Sequence, residues 1–152
     1  MKVVAVIGAS SDRRKFGNKA VRAFRRRGFK VLPVNRRPGG VETAGERLIE
    51  GLPVHATVRE APGPIDLATL YVPPEIGEKL VDEIAAKGIP TLWVNPGAES
   101  RRLVERARAL GIATTLHCSI VAIGESPADY GDDPDPTPPG RAGGVGAPPA
   151  GG

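Results

Sequence analysis

An apolar run that ends in glycine and two hydroxyls constrains the fold of this chain more than any other stretch. Residues 3–7 are Val-Val-Ala-Val-Ile, and a Gly-Ala-Ser-Ser loop follows at residues 8–11. Such runs are typical of a central parallel strand that is buried on both faces. A segment with helical spacing begins near Lys15, so the loop joins a strand to a helix N-terminus. The backbone N–H groups of such a loop can bind a phosphate.

The rest of the chain alternates between strands and helices. Helical spacing of apolar residues recurs in three segments, which begin near Phe16, Ile76 and Leu103. Runs that favour strands are found at residues 2–7, 30–34, 53–55, 65–72, 89–94 and 112–116. This alternation predicts an α/β fold with a doubly wound, mostly parallel sheet, which is a Rossmann-like fold of the NAD(P)-binding type.

The last part of the chain has a different composition. Residues 126–152 contain 7 Pro and 7 Gly and almost no large apolar side chains. We therefore expect a folded domain over residues 1–125 and a disordered tail over 126–152. The tail carries a net charge of −3 and the whole chain +4, which leaves +7 on the folded domain. A basic domain favours anionic partners: phosphorylated cofactors, nucleic acid or its own tail.

Several classes of protein are disfavoured by what the sequence lacks. The single cysteine, Cys118, excludes an intramolecular disulfide and favours a reducing, cytoplasmic location. No run reaches the roughly 20 apolar residues of a membrane-spanning helix, and the apolar start is too short for a signal peptide. We expect no metal site, because His117 and Cys118 fall short of the about four ligands of structural zinc. No catalytic constellation is evident, so we expect no enzyme activity.

The glycine-rich loop departs from the dinucleotide-binding fingerprint G-x-G-x-x-G. Counted from Gly8, Ser10 replaces the second glycine and Arg13 replaces the third. The loop can still bind a phosphate, but its sequence does not support NAD as the ligand.

The residues after the second strand point to a ligand with an additional phosphate. NAD enzymes usually place an acidic residue there to bind the adenosine ribose, whereas this chain has Asn35-Arg36-Arg37. Guanidinium groups match phosphate oxygens, and NADP carries a phosphate at the 2′ position while coenzyme A carries one at the 3′ position. The residues leave both cofactors open, and these arginines could also be ordinary solvated side chains.

Several motifs in order resemble those of the stand-alone CoA-binding protein family, whose module is shared with succinyl-CoA ligase alpha subunits. The resemblance runs over residues 2–124 and includes the stretch at residues 52–61. The motifs that carry it are Gly8-Ala9-Ser10-Ser11, Pro33-Val34-Asn35, Tyr71-Val72-Pro73-Pro74, Asn95-Pro96-Gly97-Ala98 and Cys118.

The resemblance implies a coenzyme A site at the carboxyl ends of the strands. Its pyrophosphate would lie at the loop of Gly8, Ala9, Ser10 and Ser11, with Lys15 nearby. The ribose phosphate and adenine would face Asn35 and Arg36. The nucleotide and the start of the pantetheine arm would be flanked by Tyr71, Val72, Pro73 and Pro74. The path to the thiol would be lined by Asn95, Pro96 and Gly97, with Cys118 near its end.

Two departures from the family bear on function. Many relatives have a small residue or proline followed by lysine where this chain has Arg36-Arg37. The ligases add a second domain with a phosphorylated histidine, whereas the folded region here has only His55 and His117. Cys118 is either a buried small residue or a thiol that forms a mixed disulfide with coenzyme A, which needs a lowered pKa.

The sequence therefore predicts non-catalytic binding of coenzyme A or acyl-CoA, by a carrier or a redox-linked sensor. The alternative is an NADP-binding oxidoreductase or dinucleotide sensor, which only the fold and the arginines favour. A nucleic-acid binder is disfavoured, because the chain has only 3 Phe, 2 Tyr and 1 Trp for stacking. The oligomeric state is left open.

Overall fold

A parallel sheet with helices on both faces forms the body of the protein. The computed structural model describes residues 2–36 and 48–131. The elements in chain order are β1 (Val3–Ile7), α1 (Phe16–Arg26), β2 (Lys30–Val34), β3 (Leu48–Ile49), β4 (Leu52–Pro53), β5 (Leu67–Leu70), α2 (Pro74–Ala86), β6 (Thr91–Val94), α3 (Arg101–Ala109), β7 (Ala113–Leu116) and α4 (Ser119–Ala122). A short 3₁₀ turn follows at Pro127–Asp129.

Five strands pair in parallel in the order β2-β1-β5-β6-β7. The predicted α/β, Rossmann-like fold is therefore confirmed. The strand expected at residues 65–72 is shorter, at Leu67–Leu70. The strand expected at residues 53–55 is divided between the small antiparallel β3–β4 ribbon and a single parallel bridge from His55 to Val34.

The two faces of the sheet bury separate apolar clusters, as the continuous apolar strands predict. On one face, Ile7 and Leu70 pack with α2 and α3. On the other face, Val4 and Val6 pack with Phe24 of α1. Phe16 marked the start of α1 in the sequence, yet it is 54% exposed at the first residue of the helix. None of the helices in the described parts of the chain is long and apolar enough to cross a bilayer.

Two arginines at the end of α1 are paired with a carboxylate of a distant segment. Arg26 Nη1 and Arg27 Nε both lie 2.6 Å from Oε2 of Glu125, a carboxylate that is only 7% exposed. Tyr130 Oη donates to the other oxygen of Glu125 at 2.6 Å. The last turn of α1 is thus bonded to the segment that follows α4.

Packing continues beyond the predicted domain end at residue 125. Tyr130 has no exposed surface and belongs to the apolar cluster of α1, while its neighbour Gly131 accepts a hydrogen bond from Arg22 at 3.0 Å. Residues 126–131 fall in the Pro- and Gly-rich stretch, where the buried ring of Tyr130 and the hydrogen bonds from Tyr130 to Glu125 and from Arg22 to Gly131 together oppose the ordering cost of the segment. The rest of the predicted tail, residues 132–152, and Arg37 lie outside the described residues.

The Glu125 cluster predicts a loss of stability in acid. Burial raises the pKa of Glu125, but the hydrogen bonds from Tyr130 and Arg27 and the charges of both arginines lower it further, to a net value below the ordinary 4.5. A carboxyl whose pKa is lower in the folded state stabilises that state above its unfolded pKa, and this stabilisation is lost as the pH falls. The wild type should therefore have a larger free energy of unfolding than Glu125→Gln at pH 7. This difference should shrink below about pH 4.5.

Urea denaturation of both proteins between pH 7 and pH 3 measures this difference. The matched control is Glu105→Gln on the exposed face of α3, for which we expect a small difference at every pH. A wild-type advantage over Glu125→Gln that stays constant down to pH 3 would contradict the ionic cluster.

Candidate functional site

A cavity of about 1020 Å³ opens at the carboxyl ends of the strands. Ligands of open α/β sheets bind at this edge. Eleven of the residues predicted from the sequence line it: Gly8, Ser10, Lys15, Asn35, Arg36, Tyr71, Val72, Pro73, Pro74, Pro96 and Gly97. The structure thus brings four separate loops of the chain to one cleft.

Four predicted site residues do not line this cavity. Ala9 has no exposed surface, and Asn95 is only 2% exposed. Ser11 is exposed on the same loop but outside the lining, and Cys118 is half-buried elsewhere. The strand-end rule identifies loops that line the cavity, but it cannot tell which side chain in a loop faces it.

The first two amides of the loop are bonded within the protein. Gly8 N and Ala9 N both donate to the carbonyl oxygen of Val34, at 2.9 and 3.3 Å. Gly8 has a φ of +94°, and a Cβ at this position would lie 2.5 Å from the carbonyl oxygen of Tyr71. Glycine is therefore required here for both conformation and space.

Gly17 supplies the close contact between the helix and the strand end that the fingerprint assigns to its third glycine. A Cβ on Gly17, in the first turn of α1, would overlap the carbonyl oxygen of Gly8. In the dinucleotide fingerprint the third glycine serves the same close packing. The spacing from Gly8 to Gly17 is longer than in that fingerprint, so the third position of the fingerprint, counted from Gly8, falls on Arg13 and not on Gly17.

Side chains beneath the loop hold its carbonyl groups. Asn35 Nδ2 donates to Ala9 O at 2.6 Å, and Asn18 Nδ2 donates to Ser10 O at 2.8 Å. Carbonyl oxygens repel anions, so their engagement on the protein side favours an anion in the cleft. Asn35 therefore lines the cavity and also supports the loop.

A buried polar network extends this support along α1. Arg22 is only 2% exposed, and it donates to Asn18 Oδ1 at 2.7 Å and to Arg13 O at 2.8 Å. Glu50 accepts from Asn18 at 3.0 Å and from Arg13 at 2.7 Å, so its carboxylate is paired with the guanidinium of Arg13. The sequence did not suggest Asn18 or Arg22, because Glu50, which bonds Asn18, and Gly131, which bonds Arg22, lie far along the chain.

The start of α1 gives the cleft a positive electrostatic character. The helix begins after Lys15 with no side-chain cap and no acidic residue in its first turn, so its dipole and amides are open to an anion. Lys15 and Arg36 line the cleft, and so does Lys79 of α2, which the sequence did not suggest. Hydrogen bonds from Arg14 lower the pKa of the nearby Asp12 to about 2, so this acid is ionised and already paired.

Apolar and aromatic residues form the walls of the cleft. Val72, Pro73 and Pro74 lie at its β5 side, where proline at the start of α2 suits the first helical turn. Tyr71 lines the cleft beside them, and its hydroxyl is buried. Burial raises the pKa of Tyr71, so the phenol is neutral at ordinary pH.

Asn95 joins the ends of two strands to α4. Its Nδ2 donates to Thr69 Oγ1 at 2.8 Å and to Leu70 O at 2.9 Å, while its Oδ1 accepts from Ser119 N at 2.8 Å. These bonds engage both ends of its amide within the protein. Asn95 therefore positions the loop of Pro96 and Gly97, which do line the cavity.

Cys118 packs against the apolar cluster of α1, outside the cavity lining. The ring of its neighbour His117 lies edge-on to Trp93, with 4.6 Å between centroids, and its Nε2 has no hydrogen-bond partner among the described residues. Burial lowers the pKa of His117, which disfavours the imidazolium that would activate a neighbouring thiol. Within the described ranges, no three His, Cys, Asp or Glu side chains are grouped to hold a metal ion.

Known proteins provide an independent comparison. A family model described as a CoA binding domain matches residues 2–124. The alpha subunit of the ADP-forming acetate–CoA ligase II of Pyrococcus furiosus is 32% identical over 120 residues, which are 72% of this chain and 24% of the relative. The alpha subunit of ligase I of the same organism is 30% identical over 73% of this chain and 26% of the relative. The chain thus spans about a quarter of the length of these curated relatives.

The similar solved structures include one protein of about the size of the matched region and one much larger protein. A conserved hypothetical protein of Pyrococcus furiosus has 32% identity and a TM-score of 0.67, over 79% of this chain and 97% of that protein. A dinucleotide-forming acetyl-coenzyme A synthetase 1 of Ca. Korarchaeum cryptofilum, in complex with phosphate and ADP, has 27% identity and a TM-score of 0.60. That match covers 74% of this chain and 25% of the synthetase.

The contact between Gly17 and Gly8 predicts that Gly17→Ala destabilises the protein. Alanine normally stabilises a helix relative to glycine, but here its methyl group meets backbone that cannot move without displacing the loop. We expect the free energy of unfolding to fall by about 1–3 kcal/mol, as for other overpacked sites. The control is Gly131→Ala, where a Cβ would meet no atom within 4 Å. Chemical denaturation measures both, and a more stable Gly17→Ala protein would contradict the close packing.

Proposed function

The chain belongs to the CoA binding domain family, and from this premise we propose that its cleft binds coenzyme A or an acyl-CoA without catalysing a reaction. The observation that carries the proposal is the loop between β1 and α1. Its carbonyl groups are bonded to Asn35 and Asn18 inside the protein, while an uncapped helix N-terminus and Lys15 lie at the cleft. This arrangement favours an anion such as a pyrophosphate.

In the proposed complex the pyrophosphate lies against Ser10 and the first turn of α1. The amides of Gly8 and Ala9 already donate to Val34 O, so they are not the phosphate donors. The N–H groups at the start of a helix lack intrahelical partners, and those of α1 are the proposed donors. Lys15 supplies the positive charge.

The adenosine end is proposed to lie on the β2 side of the cleft. Arg36 is exposed directly after β2 and lines the cavity, which suits a contact with the 3′-phosphate of coenzyme A. The pantetheine arm then passes Tyr71 and Pro73 towards Pro96 and Gly97. Binding in this form does not depend on Cys118, which packs away from the cleft.

A carrier or sensor role is the proposal that these features favour. The cleft contains no pair of catalytic groups in hydrogen-bond contact among the residues described. The similarity to the acetate–CoA ligase alpha subunit covers about a quarter of its length, so it supports binding of coenzyme A and not the whole ligase reaction.

NADP is the second candidate, because Arg36 would also suit a 2′-phosphate. Ser10 in place of the second glycine disfavours it, since that glycine lets a dinucleotide pyrophosphate approach the backbone.

Thermal denaturation in the presence of coenzyme A, dephospho-coenzyme A, NADP and NAD tests the proposal. A ligand that binds only the folded state stabilises it by about 2.7 kcal/mol at one hundred times its Kd. We expect the greatest stabilisation with coenzyme A. Arg36→Ala should reduce the preference for coenzyme A over dephospho-coenzyme A by roughly tenfold, because a charged hydrogen bond is lost.

The matched control is Arg59→Ala, an exposed arginine outside the cavity lining, for which we expect the wild-type preference. Stabilisation by NADP alone would reverse the ranking of the two cofactors. A preference for coenzyme A that survives Arg36→Ala would remove Arg36 from the phosphate site.

A further inference from the structure

Glu83 on α2 is an acidic side chain in a cleft whose other charged lining residues are cationic. Lys15, Arg36 and Lys79 line the same cavity. Oε1 of Glu83 is buried and has no hydrogen-bond partner in the described parts of the chain. A buried carboxylate oxygen without a partner is costly, and a donor on a ligand would remove that cost.

The contacts of α2 show which side of the cleft Glu83 occupies. Glu78 and Asp82 face α3, where they accept hydrogen bonds from Ser100 at 2.7 Å and Arg106 at 2.6 Å. Lys87 Nζ donates in another direction, to Ala61 O at 2.6 Å. At about 100° per residue, Glu83 lies roughly 40° from Lys87 and roughly 140° from Glu78. Glu83 is therefore on the side of α2 that is turned away from α3.

That side of α2 faces the segment after β4, since Lys87 Nζ donates to Ala61 O of this segment. His55 N donates to Pro33 O at 3.0 Å and Asn35 N donates to His55 O at 2.9 Å, so the segment after β4 continues alongside β2. Val58 of this segment and Leu80 of α2 line the cavity together with Glu83. The region combines apolar side chains with the buried carboxylate oxygen of Glu83, which suits the face and the edge of a purine base.

We propose that Glu83 determines the specificity for the base by accepting a hydrogen bond from the exocyclic amino group of adenine. This inference rests on the proposed function, which places the adenosine end of coenzyme A on the β2 side of the cleft. Ionised carboxylates only accept hydrogen bonds. A base with a carbonyl group at the same position presents an acceptor and is repelled. The amides of the pantetheine arm are the other N–H donors of coenzyme A, and they extend towards Pro96 and Gly97 in the proposed complex.

Binding of coenzyme A and of its deaminated analogue, which carries hypoxanthine in place of adenine, tests the role of Glu83. Calorimetric titration should give the wild type a Kd for coenzyme A at least about tenfold below that for the analogue. In Glu83→Gln the amide can turn to donate to the carbonyl of hypoxanthine, so the preference should narrow to within a few-fold or reverse. The control Glu75→Gln, exposed on the same helix and outside the lining, should keep the wild-type ratio.

The outcomes separate the two proposals. Failure of the wild type to bind either compound would overturn the proposed function and this inference with it. Tight binding of coenzyme A with no preference over the analogue would overturn the role of Glu83 alone. The same holds if a folded Glu83→Gln protein, verified by its melting temperature, retains the full preference.

Discussion

The close contact between the backbone at Gly8 and the first turn of α1 at Gly17 is the constraint on which the rest of the site depends. Neither position has room for a Cβ, so the helix N-terminus lies directly against the end of β1. Asn18, which follows Gly17, and Arg22, about one turn further along α1, then reach the carbonyl groups of Ser10 and Arg13. The contact between two glycines thus sets the position of the helix, the orientation of the loop and the character of the cleft.

Some basic residues of the domain are bonded within the fold, and others line the cleft. Arg26 and Arg27 are bonded to Glu125, and Arg13 is bonded to Glu50, so these guanidinium groups hold distant segments together. The cleft itself is lined by Lys15, Arg36 and Lys79. The net charge of the folded domain predicted an anionic partner. Several of the basic residues that make up this charge are bonded within the fold, so only part of it lines the cleft.

Local patterns in the sequence were sufficient to predict the fold and the loops of the cleft. β1, the loop and α1 are consecutive in the chain. The spacing of apolar residues that predicts the strand and the helix lies within this segment and does not depend on distant residues. Side-chain roles that depend on distant partners were not predictable in this way. Asn18 and Arg22 have the pattern of ordinary helix residues until Glu50 and Gly131 are brought beside them. Asn95 lies in a predicted site loop, yet its amide is bonded to Thr69, Leu70 and Ser119 rather than facing the cavity.

The remaining differences have the same physical origin. Tyr130 stands in a segment whose composition predicts disorder, and only the apolar cluster of α1 explains its burial. Glu83 has the pattern of a solvated acid on an amphipathic helix, and only the three-dimensional arrangement shows that its oxygen is buried at the cleft.

Titration of the ¹⁵N-labelled protein with coenzyme A, followed by the chemical shifts of its backbone amides, tests the central claim most directly. The account predicts that the largest changes occur at Ser10, Phe16 and Gly17. The amides of Gly8 and Ala9 should change less, because they stay bonded to Val34 O. Changes confined to the region of Trp93 and His117, or none at saturating ligand, would contradict the assignment of the phosphate site to the β1–α1 loop.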